Sequence, residues 1–191
     1  GRMYRGVYIF NADRSRFNDG VYDWRTVPTN LTEPELGPSL SDDWQEIIVA
    51  LPNPVTADLD GDGKMEILYA SYDGKMHVFW LDGTEHGSWP YWVYPGGDDY
   101  RYASEPAVAD LDNDGTAEVI FGSWVKSGTN QTGKLHILNH LGQEEVPPVD
   151  LPLALNGTWN GSLAAPTLAN IDNDDELEVV LNTAQSGFVA Y

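Results

Sequence analysis

The sequence predicts an all-β fold: a β-propeller, or part of one, built of four-stranded antiparallel blades. Two observations carry this. A nine-residue acidic cassette occurs three times, at 58–66, 110–118 and 170–178, each time between a Pro-led apolar stretch and a strand-like run. Between the cassettes, short apolar runs alternate with tight Gly, Asp and Asn turns, and no helical period is present. Repeats of about 50 residues point to solenoids, propellers or arrays.

The elements follow in a fixed order. Each unit opens with an apolar stretch led by Pro54, Pro106 or Pro166, read as a first strand. The cassette comes next, then a second strand at 67–71, 119–123 and 179–183. A short loop at 71–75, longer at 123–134, leads to a third strand at 75–80 and 134–139. Turns at Asp82 and Gly83, and at Leu141 and Gly142, start a looser fourth strand. The strands are apolar on both faces, as expected for sheets packed on both sides by neighbours.

Residues 6–13 and 187–191 both read as third strands, so the chain runs from one third strand to another. That pattern suggests a fragment of a longer chain, or a piece whose remaining blades come from other chains. Residues 1–45 hold the end of one blade and a connection with Pro28, Pro34 and Pro38. Residues 46–99 form a blade opening at 47–51, residues 100–152 a second, and residues 153–191 an incomplete third. No low-complexity linker divides them, so one domain is expected.

The cassettes are oxygen clusters. Acidic or amide side chains stand at positions 1, 3, 5 and 9: Asp58, Asp60, Asp62 and Glu66; Asp110, Asp112, Asp114 and Glu118; Asn170, Asp172, Asp174 and Glu178. Position 7 (Lys64, Thr116, Glu176) would add a backbone carbonyl. Calcium takes six to eight oxygens at about 2.3–2.6 Å, and a loop with carboxylates on alternate residues can wrap one ion. Gly63 and Gly115 at position 6 allow φ > 0. The third cassette has Asp175 there and Asn170 at position 1. Two Ca2+ ions are therefore expected, with the third loop a weaker candidate.

Composition narrows the partners. The formal net charge is −20, which argues against nucleic acid and anionic membranes. No run reaches the roughly 18 apolar residues of a membrane span. The absence of cysteine excludes thiol chemistry and disulfides. Calcium loops suit millimolar extracellular calcium, and sequons at Asn30, Asn130, Asn156 and Asn160 are candidate glycosylation sites of an extracellular or cell-surface protein.

Beyond calcium, residues 89–102 hold six aromatic rings. Tyr91, Trp92, Tyr94 and Tyr100, beside Asp98, Asp99 and Arg101, are candidates for stacking on a sugar. The competing reading is that the rings, Trp89 first, fill gaps between blades. Trp124 is expected to be exposed and Trp159 to anchor a loop. His77 and His136 hold the same place in two third strands, which reads as scaffold; no zinc site is expected of them or of His140. No nucleophile motif is present, and a dication would lower the cassette carboxylate pKa values, so the chain is not expected to be an enzyme.

The pattern Pro-x-x-x-Asp-x-Asp-x-Asp-Gly-x-x-Glu before an apolar strand resembles the FG-GAP/VCBS repeats of extracellular proteins, related to blades of integrin α-subunit heads. The run from Asp82 and Gly83 to Gly87, Trp89 and Pro90 is also similar to that family's. The resemblance spans nearly the whole chain. It implies a propeller with calcium loops between the first and second strands of each blade. The function expected is a calcium-stabilised extracellular scaffold for binding or adhesion, with a protein or glycan ligand. The alternatives are a lectin or part of a secreted polysaccharide-active enzyme, and a structural subunit of a cell-surface assembly.

Overall fold

The computed structural model describes residues 9, 11–13, 52–70, 74–93, 100–127, 132–153, 161–172, 174, 176–183 and 187–190. The strand expected at 47–51, the polar connection before it, the four sequon asparagines, Tyr94, Asp98, Asp99, Trp159 and Asp175 lie outside the described residues, as do the side chains of Tyr100 and Arg101. Of the third strand expected near the start, only Ile9 and residues 11–13 are described.

Among the described residues, three antiparallel sheets follow one another along the chain and no helix occurs. The first sheet contains β1 (Val55–Ala57), β2 (Glu66–Ala70), β3 (Lys75–Phe79) and β4 (Tyr91–Trp92), paired in that order. The second is built of β5 (Tyr100–Ala103), β6 (Ala107–Ala109), β7 (Glu118–Ser127), β8 (Lys134–Leu138) and β9 (Val149–Asp150). The third pairs β10 (Thr167–Ala169), β11 (Glu178–Thr183) and β12 (Gly187–Ala190).

The acidic cassettes occupy equivalent turns in all three sheets, between β1 and β2, between β6 and β7, and between β10 and β11. The register is the same each time: Ala57 pairs with Glu66, Ala109 with Glu118 and Ala169 with Glu178. Position 9 of each cassette is thus the first residue of a strand, fixed by the ladder beside it.

The second sheet departs from the four-strand expectation. β7 runs on to Ser127, through the start of what reads as a loop, and pairs with β6 along its first half and β5 along its second. Ser104 keeps the ladder continuous across the break: its N–H donates to the Gly122 carbonyl at 2.8 Å and its Oγ accepts from Gly122 N at 3.0 Å. Tyr102 stacks on Trp124 with ring centroids 6.3 Å apart, so Trp124 is half-buried rather than exposed. The aromatic segment 89–102 contains β4 and most of β5.

Each strand uses both faces. Leu68 and Ala70 join Met76, Val78, Val119, Phe121 and Leu138 in a core between the first and second sheets. Ile67, Tyr69 and Phe79 point to the other face of the first sheet, where Ile9 packs on them. Ile120, Leu135, Leu151, Val179 and Leu181 form the core between the second and third sheets. Alternate residues of β2 and β7 therefore serve opposite cores, which is why their sequences show no polar face.

Two contacts bring neighbouring sheets close. Gly122 lies against Ser162; a Cβ at Gly122 would sit 2.6 Å from that of Ser162. Trp89 is a wedge between the first and second sheets, 4% exposed, with Nε1 donating to the His140 carbonyl at 3.0 Å. Its ring lies over Gly142, which has φ +83° and no room for a side chain.

Candidate metal loops and a cleft between sheets

The three cassettes share one hydrogen-bond skeleton. The position-9 glutamate turns back on the loop: Oε2 of Glu66 accepts from Leu59 N at 2.8 Å, Glu118 from Leu111 N at 2.6 Å and Glu178 from Ile171 N at 2.6 Å. The position-5 aspartate accepts from the position-7 amide in every copy, Asp62 from Lys64, Asp114 from Thr116 and Asp174 from Glu176. The position-3 aspartate accepts from the position-5 amide in the same way. These short-range bonds are the local turns that Asp favours. The remaining oxygen of Asp62, Oδ2, is held by Lys64 Nζ at 2.5 Å.

Position 1 separates the loops. Oδ2 of Asp58 accepts from Gly63 N at 2.9 Å, and Oδ2 of Asp110 from Gly115 N at 3.0 Å. Gly63 and Gly115 have φ of 84° and 93°, the left-handed conformation expected at position 6. In the third loop Asn170 instead donates its amide to the Asp174 carbonyl. Asn113, at position 4 of the second loop, also takes positive φ.

Three acidic side chains of each loop bring one oxygen apiece within 4.8 Å of one another: Asp58, Asp60 and Asp62; Asp110, Asp112 and Glu118; Asp172, Asp174 and Glu178. The residues fit a cation best in the first loop. Asp58 Oδ1 and Glu66 Oε1 are buried there with no hydrogen-bond partner, although Glu66 is wholly buried. Buried oxygens are ordinarily satisfied, and a divalent ion is the partner such a set suits.

The electrostatics agree with a loop shaped for positive charge. Burial pushes the Glu66 and Glu118 carboxyls above the usual range, against the lowering effect of the Leu59 and Leu111 amides. The Lys64 side chain beside Asp62, and its amide, hold that carboxyl below the usual range; the Thr116 hydroxyl and amide do the same for Asp114.

His86 was not singled out by the sequence. It is 3% exposed, packs on Trp80 with centroids 4.7 Å apart, and sets Nε2 3.5 Å from Asp60 Oδ2. Aligning Glu85 and His86 with Glu144 and Glu145 after the third strands would have exposed it as a difference between repeats. His77 and His136 are buried scaffold residues: His77 stacks on Phe79 and bonds Glu85 at 2.6 Å, and His136 stacks on Phe121.

The span that contains two of these loops has a recognisable counterpart. Residues 58–121 match the family model of the FG-GAP-like repeat. The FG-GAP-like span begins at position 1 of the first loop and ends in β7, just past the second loop. Comparison with curated proteins and with solved structures gave no match.

Beside the FG-GAP-like span, a cleft of about 410 Å³ opens between the first and second sheets, lined by Tyr91, Trp92, Val93, Lys134, His136 and Glu144 among others. Trp92 is 48% exposed, with Lys75 Nζ 4.4 Å above its ring centre. Tyr91 is half-buried and donates its hydroxyl to Glu144 at 2.7 Å. Of the four ring residues expected to bind a ligand, Tyr91 and Trp92 meet at this cleft.

Proposed function

We propose that this chain is an extracellular, calcium-stabilised β-propeller, or part of one, that serves as a binding or adhesion scaffold, each sheet being one blade. The observation that carries the reading is the repeated loop skeleton, with the same register at all three positions and two buried, unpartnered oxygens in the first loop. The FG-GAP-like match over residues 58–121 supports it. Asp58, Asp60, Asp62 and Glu66 would hold one Ca2+, with Asp110, Asp112, Asp114 and Glu118 holding another. Asn170, Asp172, Asp174 and Glu178 form the weaker third site, and position 7 (Lys64, Thr116, Glu176) lends a carbonyl in each. The ions take the part that disulfides play in other secreted domains. Calcium titration calorimetry tests this directly: heat for at least two ions per chain is expected, and only the weak binding of the third loop in a double variant Asp60→Ala/Asp112→Ala. A chain that takes up no calcium would end the reading.

The lectin alternative draws on the cleft beside Trp92. Its size lies in the range of small-molecule sites, and it offers an exposed ring together with a carboxylate and an ammonium group. A glycan array read with the wild type and Trp92→Ala decides it. Hits lost in the variant are expected on that reading; an empty array removes it and leaves a protein ligand.

A further inference from the structure

We infer that His86 determines the metal preference of the first loop, giving it a mixed nitrogen and oxygen donor set that takes an imidazole-preferring divalent ion such as Zn2+ as well as Ca2+. The inference rests on the proposed metal binding of that loop and names a second class of ion for it.

The argument begins with Asp60. Its Oδ1 is engaged by the Asp62 amide at 3.1 Å, so Oδ2 is the oxygen left for an ion. His86 Nε2 stands 3.5 Å from that same Oδ2. Two donors about 2.1 Å from one ion, at a tetrahedral angle, are about 3.4 Å apart. The imidazole comes from outside the loop, on the Asp60 side, and lies outside the group of Asp58, Asp60 and Asp62 whose oxygens are within 4.8 Å of one another.

The ring is held in place. Its backbone N–H donates to the Val78 carbonyl at 2.8 Å, and Trp80 packs against it with the ring planes tilted by 58°. Nδ1 is buried and has no hydrogen-bond partner. An ion would take the tautomer with the proton on Nδ1 and the Nε2 lone pair toward the loop, at the cost of leaving the Nδ1–H buried without an acceptor. Asp58 Oδ1 and Glu66 Oε1 add two more buried atoms without partners in the same loop.

The second loop supplies the internal comparison. Glu85 bridges to Phe79, and Glu144 bridges to Leu138, at matching places in the two hairpins. The next residue is His86 in one and Glu145 in the other, and Glu145 N–H donates to the Ile137 carbonyl as His86 does to Val78. The repeat thus puts a carboxylate where the first loop has an imidazole. All-oxygen sets suit calcium, whereas imidazole suits zinc, copper and nickel.

The experiment is paired Zn2+ and Ca2+ titration of the chain, its His86→Gln variant and its His140→Gln variant, His140 being a histidine that acts electrostatically on Asp114 and Glu145 at the second loop. His86→Gln should weaken one Zn2+ site by about tenfold or more while leaving Ca2+ affinity within about twofold. Equal Zn2+ affinity in wild type and His86→Gln, or a loss confined to His140→Gln, would overturn the inference. If calcium and zinc both fail to bind, the metal-site reading itself has failed; if calcium binds and zinc is indifferent to His86, only this inference has. Should His86→Gln not fold, histidine ¹⁵N resonances of the wild type decide. A Zn2+-dependent shift at His86 Nε2 supports ligation, and an unmoved resonance refutes it.

Discussion

The backbone N–H of Ala117 donates to the carbonyl of Leu59 at 2.8 Å, joining the second acidic loop to the first. Leu59 is also the residue whose own N–H is held by Glu66, and Ala117 immediately precedes Glu118, which holds Leu111. A line of hydrogen bonds therefore runs from one position-9 glutamate to the other through a fully buried leucine. Gly61 and the Gly115 carbonyl lie side by side at the same junction.

This contact predicts coupled metal binding. An ion that orders the first loop fixes the Leu59 peptide, and with it one edge of the second loop. Asp58→Asn, which weakens the first site, should reduce calcium affinity at the second by about fivefold or more, the low end of usual coupling between sites. Calorimetric titration reads this; an unchanged second-site affinity would show that the loops act independently.

Chelation should lower the melting temperature, because an ion that binds only the folded chain stabilises it by mass action, about 2.7 kcal/mol at one hundred times the dissociation constant. The first loop should matter more than the third. Asp60→Ala is expected to lower the calcium-loaded melting temperature further than Asp172→Ala, since Asn170 supplies no carboxylate and turns its amide on Asp174. Thermal denaturation of the two variants with and without calcium ranks them; a larger effect at Asp172 contradicts the ranking.

The pH dependence should change sign with metal. Burial raises the Glu66 and Glu118 carboxyls in the folded chain, so in metal-free protein their contribution is fully present below about pH 4.5 and lost as pH rises through the raised values. Asp62 and Asp114 are lowered and act oppositely, but only below about pH 4, and both are exposed. Metal-free protein should thus melt higher at pH 5 than at pH 7. Calcium needs deprotonated ligands, so the loaded protein should melt lower at pH 5. Calorimetry at two pH values, with and without calcium, checks both slopes; parallel slopes would refute the prediction.

The aromatic segment should divide by position. Trp89→Ala removes a buried wedge and is expected to cost about 3–5 kcal/mol. Trp92→Ala, on a half-exposed ring, should stay within about 0.5 kcal/mol of wild type. Gly142→Ala should also destabilise, for both its positive φ and the Trp89 ring above it. Urea denaturation of the three variants gives the comparison, and equal costs at Trp89 and Trp92 would contradict the assignment.

The sequence by itself determined the strands that flank the acidic loops, the third strands that follow them, and the three loops themselves. Those features are local: Asp at alternate positions bonds the amide two residues on, glycine takes the left-handed turn, and repetition made the signal legible. It also gave the double-sided apolar character of β2 and β7. The tertiary structure decided whatever depends on a neighbouring sheet. It extended β7 to Ser127, because β5 supplied a second partner that no periodicity announces. It buried Trp89 and left Trp92 half-exposed, though the two lie in one aromatic run, because only Trp89 faces Gly142 across the sheets. It brought His86 to Asp60 and Ala117 to Leu59, contacts set by how a hairpin folds over its own sheet and how one sheet lies on the next. Such contacts join residues distant in sequence through packing alone, so the order of residues carries no local mark of them.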